Sequence, residues 1–287
     1  MQKGQISSLG KAVILVTILM ASGCTSMIVQ PLLEPVELSL QKQTDLELIK
    51  DGAPSLLLLL DGLIAKDPQN KKLLMAATKA YGAYAITLSE TGETERAVVT
   101  SLKAKTYGMT LLGLLPHMEN IPAKKLVETD QALDRISKDQ VGFLFWGAYG
   151  WATWIRFQEG APGALADLPV IEHIMLRVVE LDDSYYYGGA HIFLGAYYSS
   201  RPQMYGGKPQ DSRKHFERAL VISDRKFLLA QVTYAETYAR LVFDKKLYQD
   251  LLNEVLDQPL EDNKMASSNK LAQVMARKLL DATEEFF

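Results

Sequence analysis

Four histidines, one cysteine and a scatter of carboxylates are the raw material for bond chemistry in this 287-residue chain. His117, His173, His191 and His215 fall at wide intervals, and none sits in an HExxH or other metal-ligand spacing. Glu172 and His173 are neighbours, but adjacent helix positions do not face each other. The expectation there is a solvated carboxylate beside a half-buried imidazole. The sequence holds no GxSxG elbow and no GxGxxG loop after a strand, and "MYGGKPQDS" lacks the GxxxxGK[ST] spacing of a phosphate loop. On these grounds no catalytic residue, metal-ligand set or cofactor is assigned. The chain reads as a binding protein, not an enzyme.

The single thiol, Cys24, has chemistry of another kind. It follows "MQKGQISSLGK", with two lysines and no acid, then the short apolar run "AVILVTILM" and the small residues "ASG". A charged start, an apolar stretch too short to span a bilayer and a small-residue cleavage site read as a secretory signal. With cysteine directly after Gly23, the pattern resembles a bacterial lipoprotein signal. The chain is then cut before Cys24, whose thiol carries a diacylglycerol, and several acyl chains hold such a protein durably to a membrane. Thr25 is not the aspartate that favours inner-membrane retention, so the periplasmic face of the outer membrane is the expected location. Residues 1–23 are the signal, and residues 24–45, with Pro31 and Pro35, are the lipidated cysteine and a tether. Loss of Lys3 and Lys11 with the signal takes the formal charge from −3 to −5, which argues against a nucleic-acid partner.

Helical periodicity fills the rest, 46–287. "KKLLMAATKAYGAYAITL", "ERAVVTSLKAKTYGMTLLGLL" and "DSRKHFERALVIS" place apolar residues three and four apart. "KDPQN" marks a stop and restart, and "DDS" at 182–184 offers caps to a following helix. The fold class is all-α. Within it, helical-hairpin repeats of irregular tetratricopeptide-like form are expected, stacked as a compact solenoid. Leu56, Leu60, Leu63 and Pro68 fit the second-helix spacing of such a unit. So do Ala97, Ser101 and Ala104, after Tyr81 and Gly82. The fullest match is Leu194, Gly195 and Tyr198 with Ser212, Phe216, Ala219 and Asp224, where "RPQMYGGKPQ" forms an enlarged loop between the helices.

Two segments stand out inside that frame. From Val141 to Ile155 there are fifteen residues without a charge, including all three tryptophans. As a helix this is roughly 22 Å long, too short to cross a membrane. A helix apolar all round is normally buried, and Gly142, Gly147 and Gly150 would let neighbours approach closely. The alternative for Trp146, Tyr149, Trp151 and Trp154 is that they line an apolar cavity, for which large rings are suited. Tyr187, in "SYYYGGAHIFLGAYY", joins this set, because three consecutive tyrosines on a helix cannot all face the core. Tyr205, Gly206 and Gly207 form the candidate partner-binding element in the surface loop.

The lipoprotein-like start, the irregular repeats, "FLFWGAYGWATWI" at 143–155 and "MYGGKPQDSRKHFERAL" at 204–220 occur in one order. Together they resemble the TatT component family, tetratricopeptide-like lipoproteins associated with TRAP transporters. The resemblance implies a periplasmic helical protein that partners a TRAP-type solute-binding protein, forms a homotrimer, and has an apolar cavity or pore through each subunit. The expected function is an accessory role in TRAP-type import: docking the solute-binding protein and holding an apolar or amphipathic small molecule. The alternative is a scaffold lipoprotein for outer-membrane or cell-wall machinery that holds no small molecule. The state of the Trp146–Trp154 helix, packed dry or beside a void, separates them.

Overall fold

Asp45, Asn70 and Asp244 start three helices by one device: each side chain accepts hydrogen bonds from backbone N–H groups of the first turn. The computed structural model describes residues 34–261 and 263–287, and no strand occurs among the described residues. Cys24 and the expected signal lie outside them. Residues 34–42 are already helical, so helix reaches into the stretch expected to be a tether. This segment is fixed by Glu37, which pairs with Lys79 at 3.1 Å.

The main helices are α1 (Leu46–Lys66), α2 (Lys71–Glu90), α3 (Thr94–Gly113), α4 (Leu126–Leu133), α5 (Val141–Arg156) and α6 (Leu168–Asp182). They are followed by α7 (Tyr185–Tyr198), α8 (Pro209–Ile222), α9 (Leu229–Thr233), α10 (Lys245–Asp257) and α11 (Ala266–Asp281). Helix α9 runs on into a π-helical stretch at Tyr234–Ala239. The chain is all-α, as its periodicity predicts.

Two of the three repeat-like stretches form hairpins with the expected residues inside. In α2–α3, Tyr81, Ala97, Ser101 and Ala104 are buried. In α7–α8, Leu194, Tyr198, Ser212, Phe216 and Ala219 are buried, and the Ser212 hydroxyl donates to the Gly195 carbonyl at 2.7 Å. A Cβ at Gly195 would stand 2.8 Å from the Phe216 ring, so this pair of helices meets where only glycine fits. On α1 the buried stripe is Leu57, Leu60 and Ile64, while Leu56 and Leu63 sit half-buried at its edge.

Helix α5 is central, packing against α2, α3 and α6. A Cβ on Gly150 would come within 2.5 Å of the Ala104 carbonyl oxygen, and one on Gly108 within 2.6 Å of that of Gly147. The glycines of α5 therefore allow backbone-to-backbone contact with α3, as expected. Helices α1 and α2 also meet the C-terminal helices. Leu46 and Ile86 pack on the C-terminal core, and Lys278 of α11 pairs with Glu90 of α2 at 3.2 Å. With α11 packed on α1 and α2, the helices run in a closed circuit.

Candidate functional site

The "DDS" run predicts a cap for α7, but Ser184 makes no such bond; its hydroxyl donates to Asp182 at 2.8 Å. The chain instead turns left-handed over Tyr186 (φ 46°, ψ 56°), Tyr187 (φ 60°, ψ 29°) and Gly188 (φ 76°, ψ 29°). Glycine adopts this conformation freely, whereas each tyrosine costs about 1–2 kcal/mol because its Cβ crowds the following carbonyl. The tyrosines are consequently not spread around a right-handed helix, as the sequence alone suggested. They are fanned out by a strained turn, the kind of outlier that concentrates at functional sites.

Ring packing holds that turn. Tyr186 lies 4.5 Å from Trp146 and 5.8 Å from Phe145, centroid to centroid, and Tyr187 stacks on Phe227 at 4.9 Å. Trp146 is in turn 5.0 Å from Tyr149, edge to face, and its indole N–H donates to the Tyr185 hydroxyl at 3.1 Å. Edge-to-face and offset pairs are each worth about 0.5–1.5 kcal/mol beyond burial, enough together to offset the strained backbone. Neighbouring glycines make the room. A Cβ at Gly82 would stand 2.5 Å from Tyr149, and one at Gly189 would stand 2.6 Å from Phe145.

The hydroxyls of Tyr149 and Tyr186 sit far inside the protein. Desolvation pushes both above the ordinary phenol range, Tyr186 strongly, with Thr153 and Ser268 as their respective hydrogen-bond neighbours. Both residues nevertheless remain only half-buried. Ala83, next to Gly82 on α2, is exposed.

The structure therefore brings Trp146, Tyr149 and Tyr187 together and leaves Trp151 and Trp154 out. Trp151 has 0% of its surface exposed and donates its indole N–H to Asp167 at 3.0 Å. Trp154 lies beneath Lys105, whose ammonium is 3.3 Å from the ring centroid. Burial holds that ammonium below its ordinary pKa. At 3.6 residues per turn Trp151 stands about 140° round the helix from Trp146, and Trp154 stands about 140° from Tyr149. Phe145, Tyr185, Tyr186 and Phe227 complete the cluster and were not singled out from sequence. Phe145 had a usable signal, four residues before Tyr149 on the same face.

In the α7–α8 loop, Tyr205 is 70% exposed and Met204 80%. Gly206 takes φ +84°, and a Cβ on Gly207 would stand 1.9 Å from the Arg201 carbonyl oxygen. The two glycines shape the loop, and Met204 and Tyr205 are what it presents. One turn into α7, His191 meets His215 of α8 with their Nδ1 atoms 2.7 Å apart, so one ring donates and the other accepts. The Nε2 atom of His191 is buried without a partner. Glu172, expected in solvent, is largely covered instead and lies 3.7 Å from Lys208.

The family model described as TRAP transporter T-component (TAtT) matches residues 42–287, which takes in helices α1 to α11. No curated protein matches the chain.

Proposed function

This chain belongs to the TRAP transporter T-component family and so is an accessory component of such transporters; from that premise we propose that it holds an apolar or amphipathic molecule against the Phe145–Trp146–Tyr149–Tyr186–Tyr187 rings. One observation carries the reading. Tyr149 and Tyr186 lie deep in the protein mass, with strongly desolvated hydroxyls, yet both keep accessible surface. In this proposal the rings face a space inside the circuit of helices. Aromatic walls with a few hydroxyls suit an apolar body and leave polar handles to orient it. The strained turn that fans out the tyrosines supports the same reading, because such backbone outliers concentrate at functional sites.

In this proposal the partner is the TRAP-type periplasmic solute-binding protein, and it docks at the α7–α8 loop. A loop presenting an exposed tyrosine and methionine has the composition of an interface anchor. Cys24 carries the lipid that keeps the protein at the periplasmic face of a membrane, which incorporation of labelled palmitate, abolished by C24A, would test. The scaffold reading draws on Trp151, whose side of α5 is packed without room for a ligand.

The deciding experiment is to purify the protein, extract it with organic solvent and analyse the extract by mass spectrometry. A stoichiometric apolar or amphipathic species is expected. Repeatedly empty preparations, including one exposed to native cell extract, would favour the scaffold.

A further inference from the structure

The aromatic cluster has the Lys79 ammonium beside it. Lys79 projects from α2 one turn before Gly82, and its Nζ lies 4.9 Å from the centroid of the Trp146 ring. Gly82 makes room for Tyr149 in the same way one turn on, so Lys79 and Gly82 track Trp146 and Tyr149 along the two helices. The Lys79 side chain is about three-quarters covered. Its ammonium is paired with one carboxylate, Glu37 Oε1 at 3.1 Å.

Glu37 belongs to the short helix at 34–42, which precedes α1, and its side chain is 43% exposed. Its charge reaches inward as well, helping to raise the phenol groups of both Tyr185 and Tyr186. The ion pair therefore stands between solvent and the deep rings. It is joined to the rest of the lead-in segment by Gln41, whose amide donates to Glu37 at 3.3 Å.

We propose that Lys79, seated against Trp146, is the headgroup subsite for a carboxylate-bearing amphiphile whose tail lies along the tyrosines, and that Glu37 fills this subsite in the ligand-free chain. This rests on the reading of the ring cluster as a ligand site and gives that ligand a charge. A carboxylate meeting Lys79 keeps the ammonium paired, so exchange of Glu37 for a ligand leaves no buried charge alone. The apolar tail adds burial that Glu37 cannot supply. An uncharged amphiphile would have to leave the Glu37–Lys79 pair in place or strand Lys79. The subsite thus selects for the anion, and the 34–42 helix is displaced as the ligand enters.

The test is equilibrium binding of labelled dodecanoate and 1-dodecanol to the full chain, each well below its aggregation concentration. Wild type is expected to hold dodecanoate about tenfold more tightly than dodecanol, the scale of one charge-assisted contact. K79M should abolish the difference between the two probes. E37Q, which leaves α2 and the rings untouched, should tighten dodecanoate further by removing the competitor. Equal binding of the two probes by wild type and E37Q overturns the headgroup subsite while leaving the ring cluster as the ligand site. A preference that survives K79M moves the subsite away from Lys79. Failure of both probes to bind overturns the ligand site itself, and this proposal with it.

Discussion

Gly82 and Tyr149 share one contact across α2 and α5: a Cβ on the glycine would stand 2.5 Å from Cε1 of the tyrosine ring. Two residues earlier on α5, Gly147 meets Gly108 of α3 with backbone on both sides. The two contacts are equally tight but differ in what can yield. Tyr149 keeps accessible surface, and in the proposed reading its ring borders the ligand space and can swing into it, whereas a carbonyl in a packed helix cannot. G82A is expected to cost only about 1 kcal/mol, with loss of ligand capacity as the ring moves inward. G108A should cost about 3 kcal/mol. Denaturant unfolding of both variants checks the order, and equal costs would mean that no space lies behind Tyr149.

The left-handed turn reverses a familiar ranking. In a right-handed helix, glycine is about 1 kcal/mol worse than alanine. At Tyr187, φ is +60°, so alanine carries the strain and glycine does not. Y187A and Y187G both delete the ring and its stack on Phe227, so their difference isolates the backbone. Y187G is expected to be the more stable by about 1 kcal/mol. If Y187A unfolds later, the turn is not left-handed at this residue.

Much of the architecture could be read from spacing because it follows helical periodicity. Ala97, Ser101 and Ala104, and likewise Ser212, Phe216 and Ala219, are buried where a hairpin repeat puts them. The site was only partly legible. Trp146 and Tyr149 lie on one face of α5, whereas Trp151 shares their type but stands about 140° from Trp146, and Trp154 as far from Tyr149. The left-handed turn has no local signature beyond Gly188. Tyrosine resists that conformation, which long-range ring packing against α5 and Phe227 imposes. The closing of the circuit through Lys278 and Glu90 joins residues nearly 190 positions apart, beyond the reach of any periodic pattern.

The His191–His215 contact makes stability depend on pH. Burial pulls both imidazoles below their ordinary value, His191 to about 4, and the neighbouring His215 ring adds to the effect on His191. Around them, Asp183 and Asp211 favour the protonated forms, while Arg218 and Lys214 oppose them. The unfolded chain takes up protons near pH 6.5, before the folded protein does. Stability is therefore complete above that pH and is lost as the pH falls through 6.5 towards 4. The loss due to His191 should be about 2–3 kcal/mol by pH 4. Thermal unfolding measured at intervals from pH 7.5 to 4.5 should show a fall that is shallower in H191N. Parallel curves would place the acid sensitivity elsewhere.

The α7–α8 loop separates shape from contact within four residues. Gly207 cannot carry a Cβ without moving the Arg201 carbonyl 1.9 Å away, so G207A should disorder the loop and destabilise the α7–α8 hairpin. Tyr205 is most of the way into solvent and supports nothing in the fold. Y205A should therefore leave stability within about 0.5 kcal/mol of wild type. If the loop is the docking element, the same variant should weaken binding of the solute-binding protein by about 1–2 kcal/mol, roughly five- to thirtyfold in Kd, as deletion of an aromatic anchor does. Calorimetric titration of the two purified proteins reads this directly. Unchanged affinity in both Y205A and M204A would remove the loop from the interface, and the exposed faces of α1 and α3 would be the next surface to test.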